Sequence, residues 1–163
     1  MENRSDFPDL TALPHSTITA KPMTYLYAAA LSQIPDCPCG DCAPVEMESY
    51  HAVWEPLDDG RNFQPAALKN PARFLPGSPP CKAWGLSMFH SPEGFQRHLI
   101  AIFENFPNLN KLVGTHVAQG NVLETHGTAC PKGKNGHFTL HPSTQIVFTQ
   151  CFRIVSPILN PTP

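Results

Sequence analysis

The sequence predicts an α+β domain: a helix over about residues 91–106 packed on a mixed or antiparallel sheet of about five strands, behind a proline-rich, loop-dominated N-terminal third. Three observations lead there. The chain has 19 prolines in 163 residues, more than twice the usual share of about 5%. They crowd residues 8–22, 35–44, 56–80 and 157–163 and are absent from 108–130. Proline fixes φ and donates no backbone hydrogen bond, so regular structure is expected where prolines are sparse, mainly after residue 82. Second, Phe95, Leu99, Ile102, Phe103 and Phe106 recur at helical spacing. Third, residues 145–155 alternate: Ile146, Phe148, Phe152 and Ile154 share one face, and Val147, Thr149, Cys151, Arg153 and Val155 share the other.

In chain order, residues 1–21 hold few large apolar groups and read as a flexible N-terminal arm. Residues 22–34 read as a helix, with Pro22 in the first turn, Tyr25, Leu26, Ala29 and Leu31 near one face, and Pro35 ending it. A cysteine loop follows, so that 22–44 forms one unit ahead of an α+β core over 45–157 and a tail at 158–163. Tyr50-His51-Ala52-Val53-Trp54 is a short β-prone run, closed by Pro56 and the turn Asp58-Asp59-Gly60. A helical turn is expected at Pro65 to Lys69, and a buried strand at Ala83 to Phe89. Ser91-Pro92-Glu93 starts the main helix with an N-cap serine, proline at the first position and an acid in the first turn. Two strands, Leu112 to Val117 and Asn121 to Glu124, are expected about a Gln119-Gly120 turn, then a loop over 125–136. The strand at 145–155, apolar on both sides, is expected in the sheet's interior under the helix.

Charge limits the function classes. Eleven basic and thirteen acidic residues give a formal charge of −2, with no run of like charges. Nucleic-acid binding needs a clustered basic face, so it is not expected. The apolar run at Met23 to Leu31 is far below the roughly 20 residues of a membrane span and a poor match to a secretory signal. A cytoplasmic location follows as the expectation, and with it reduced thiols.

The sharpest chemical feature is Cys37-Pro38-Cys39-Gly40-Asp41-Cys42. Thiolates this crowded repel unless a soft cation or a sulfur bridge holds them. The candidate metal ligands are Cys37, Cys39, Cys42 and, if the 61–81 loop folds back, Cys81, with zinc the expected ion. A second candidate set is His126, Cys130, His137 and His141. In an extended strand His137 and His141 would stand about 13 Å apart and could not share an ion. The loop Lys132-Gly133-Lys134-Asn135-Gly136 lacks the rest of a phosphate-binding motif and reads as a turn. Ser87, in Gly85-Leu86-Ser87-Met88-Phe89, lacks the second glycine of a nucleophile elbow.

His51 in the first β-prone run, Ser87 in the next, then a helix and short strands form a pattern over about residues 50–155 that resembles the small bacterial transferases of the ADP-ribosyltransferase type. The resemblance implies an NAD-using pocket in which His51 orients the ribose and Ser87 supports the nicotinamide. The glutamate that the family carries on a late strand is met here by Gln145 or Gln150. An inactive relative that keeps the pocket is therefore implied as readily as an enzyme. Two expectations result. One is a small soluble binding or accessory protein with a structural zinc in the Cys37–Cys42 loop and another protein as partner. The alternative is an enzyme, or an inactive relative of one, with its pocket around His51 and Ser87 and His116 as a further catalytic candidate.

Overall fold

Seven antiparallel strands form one sheet in the computed structural model, which describes residues 22–158 apart from 107, 109 and 132. The expected arm at 1–21 and the tail beyond Ile158 lie outside the described residues. The strands are β1 (Ala43–Pro44), β2 (Met47–Val53), β3 (Leu86–Phe89), β4 (His116–Val122), β5 (Gly127–Ala129), β6 (His137–Pro142) and β7 (Phe152–Pro157). Their order across the sheet is β1-β5-β6-β3-β2-β4-β7. The long β2–β4 pairing, from Met47 opposite Val122 to Val53 opposite His116, is its spine.

The expectation of a helix on about five strands is corrected: the fold is sheet-dominated. The two strands expected either side of Gln119-Gly120 are one, because β4 runs straight through that pair, while Leu112 and Val113 belong to a helical turn and Glu124 to a 3-10 turn. Three further strands, β1, β5 and β6, bring the total to seven. The stretch 145–155 is not an interior strand: Phe148–Cys151 makes a helical turn, and β7 lies at the sheet's edge. Gly120 explains the merged strand. The Phe152 ring and the Cys151 carbonyl sit where its side chain would be, so glycine here admits a close neighbour rather than turning the chain.

Of the five α-helical segments among the described residues, only α3 (Pro92–Phe103) exceeds one turn; α1 (Ala28–Leu31), α2 (Ala66–Lys69), α4 (Asn110–Val113) and α5 (Phe148–Cys151) have four residues each. The helix expected over 22–34 is reduced to α1. Tyr25 instead pairs with Ser143, Leu26 N–H donates to the Pro142 carbonyl, and Thr144 N–H donates to the Thr24 carbonyl, fastening this segment to the sheet. For α3 the signals act as written: Ser91 Oγ accepts the Gly94 N–H at 3.1 Å, and Pro92 opens the first turn.

Strand alternation divides the sheet into two faces. Val53, Leu86, Met88, Ala118, Val122, Ala129, Phe138 and Leu140 build the main core on one face, closed by Phe63 and Phe152. On the other, Tyr50 and Phe89 receive Phe95, Leu99 and Phe103 of α3. Beyond α3, toward the β1 edge, this second face turns polar. Register places Ser87, His137, Thr139, His141 and Thr128 there, and the cysteine loop reaches it.

Candidate metal centre

The cysteine loop meets the sheet through strand pairing. Ala43 lies opposite Ala129 and Pro44 opposite Thr128, so the antiparallel register sets Cys42 against Cys130, with Cα atoms 4.0 Å apart. Upstream, the Cys42 N–H donates to the Cys39 carbonyl at 2.9 Å, a turn that curls the loop back at Gly40-Asp41. Cys39 Sγ then lies 2.9 Å from Cys42 Sγ and 3.9 Å from Cys130 Sγ. These three sulfurs all lie within 4.8 Å of one another.

A second group forms beside it. Cys81 opens the short turn Cys81–Trp84, which leads into β3, and meets Cys37 with Cα atoms 5.6 Å apart. The Cys81 Sγ lies 3.8 Å from Nε2 of His141 on β6. His141 is fully buried, its Nδ1 has no partner among the described residues, and burial lowers its pKa. A neutral imidazole is the form that ligates a metal.

Each group could hold a metal ion. The same atoms also stand at bridging distance in pairs, Cys37 with Cys81 and Cys42 with Cys130, which leaves Cys39 and Cys151 free. The ligand set expected from sequence, Cys37, Cys39, Cys42 and Cys81, is thus divided between two groups. Cys130 completes one and His141 the other. The sequence signal for Cys130 was available only through the β1–β5 register, which joins positions 88 residues apart.

The second expected set does not converge. His126 accepts the Leu123 N–H on Nδ1 at 3.2 Å and faces Cys151 at 4.0 Å; His137 meets Ser87. His137 and His141 stand on one extended strand, β6.

His51, Ser87 and His116 occupy three environments. His51 is buried, stacked on Phe63 with centroids 5.2 Å apart, and its Nδ1–H donates to the Ser87 carbonyl at 2.7 Å. Burial, then the charge of Lys69, pushes its pKa down to about 4. The register pairs Tyr50 with Phe89, so the side chains of His51 and Ser87 project from opposite faces. His116 binds Thr115 Oγ1 at 2.9 Å and approaches Glu55 at 3.6 Å. In the loop before β6, Lys134–Gly136 is a turn with Asn135 and Gly136 at positive φ; Lys132 lies outside the described residues. Among the described residues no helix is long and apolar enough to cross a membrane. No known protein family, characterised protein or solved structure matches this chain.

Proposed function

We propose that this chain is a small binding or accessory protein, acting with another protein in the cytoplasm, whose N-terminal segment is fastened to the sheet by zinc. The convergence of Cys39, Cys42 and Cys130 carries this reading. A disulfide takes two of the three sulfurs and leaves a third thiol pressed against it; one cation takes all three. Two sulfurs each about 2.3 Å from one ion in a tetrahedron lie about 3.8 Å apart; Cys39 and Cys130 stand at 3.9 Å, whereas Cys42 lies 2.9 Å from Cys39 and at bridging distance from Cys130, so seating the ion moves Cys42 outward. Thiolates select soft ions, and zinc, having no redox chemistry of its own, suits a site that fastens segments together. Reduced thiols require the reducing compartment that the reading assigns. NAD has no part in it, since His51 and Ser87 face apart.

Elemental analysis of freshly purified protein, with a thiol count under denaturing conditions, tests the reading. About one zinc per chain is expected, with thiols titrating only after chelation, and Cys130→Ser should lose the metal. Metal-free protein with four cysteines in bridges would overturn it.

A further inference from the structure

The polar face carries a pair that the cysteine groups leave unused. Ser87 lies opposite Thr139 and Phe89 opposite His137, so Ser87 and His137 are diagonal neighbours on one face. Ser87 Oγ is 2.6 Å from His137 Nε2. The hydroxyl is exposed to solvent and the ring half-buried, an open nucleophile beside a sheltered base. The ring is held from two sides. It stacks on His98 of α3 at 5.8 Å with planes 15° apart, and meets Phe89 edge-on at 5.1 Å. Its backbone is fixed as well, by the Gly133 N–H donating to the His137 carbonyl at 2.7 Å. Burial, then His98 and Lys82, lowers the His137 pKa, which keeps the imidazole neutral at pH 7 and able to accept a proton.

We propose that Ser87 is a nucleophile activated by His137, acting on small carboxylic esters that approach the polar face of the sheet. As Ser87 Oγ bonds to the acyl carbon, its proton passes to His137 Nε2. The ester C–O bond then breaks, the leaving alkoxide takes that proton, and the chain is left as an acyl-serine. Water repeats the sequence through His137, releasing the carboxylic acid and restoring the serine. This pairing is independent of the metal reading, and differs from the His51–Ser87 pocket because the imidazole is on the hydroxyl's own face.

A fluorophosphonate probe followed by peptide mass spectrometry, with p-nitrophenyl acetate turnover alongside, tests it. Labelling at Ser87 is expected in the intact protein. His137→Gln keeps a hydrogen-bonding side chain at the serine but takes no proton, and should slow labelling and turnover by about 100-fold while the circular dichroism spectrum is unchanged. Folded protein that is not labelled at Ser87, or that reacts equally fast with glutamine at 137, would overturn the proposal.

Discussion

His51 shows how one side chain ties stability to pH. Its depressed pKa means that the folded protein refuses a proton which the unfolded chain accepts below about 6.5. Its contribution is therefore complete above that pH and is lost as pH falls toward 4, on the order of 3 kcal/mol in all. Urea midpoints at pH 7 and pH 4.5 should differ accordingly, and His51→Leu should flatten the slope. An unchanged slope would assign the acid response to His98, His126, His137 and His141, whose pKa values burial also lowers. Gly120 gives a second residue-scale test. An alanine methyl would press on the Cys151 carbonyl and the Phe152 ring, so Gly120→Ala should cost about 1–3 kcal/mol in chemical denaturation. Neither role was legible beforehand. His51 read as an active-site candidate because a β-prone run does not say which face is buried, and Gly120 read as a turn because local sequence does not show what approaches a strand.

At the scale of elements, legibility follows the range of the signal. All the instructions for α3 lie within a dozen residues: its cap, its proline and an apolar stripe that needs only something flat to lie on. Ser91→Ala should therefore destabilise the protein by about 1 kcal/mol, and Phe95→Ala, which empties the contact with Phe89 at 5.3 Å, by about 3–5 kcal/mol. Thermal unfolding of both variants checks the ranking; equal losses would mean that α3 is held by its end and not its face. The stretch 145–155 shows the opposite case. Its apolar alternation was real, but Phe148 packs from a helical turn onto Phe63, with centroids 4.3 Å apart, and only Phe152 onward enters the sheet. Alternation describes an extended chain, and cannot say where that chain stops being extended. The cysteine loop was legible as a cluster, while its closing partner depended on which strand β1 would join.

For the whole molecule, the sulfur groups join the N-terminal segment to the sheet alongside the backbone bonds of Thr24 and Leu26. Strong chelation with a thiol reductant should lower the melting temperature and open residues 22–44 to protease before the sheet is cut, as limited proteolysis with mass spectrometry would show. Simultaneous cutting of both would mean that the segment and sheet fold as one unit without the sulfurs. The attachment has another consequence. Among the described residues, the sheet beyond β5 is covered only by the two residues of β1, and Pro44 among them donates no backbone hydrogen bond. Such a short outer strand blunts an edge that would otherwise recruit strands from other molecules. The sulfurs beside it thus act as a latch on self-association: unfastening them bares β5 to a second chain, and the protein should then stick to itself in proportion to its concentration.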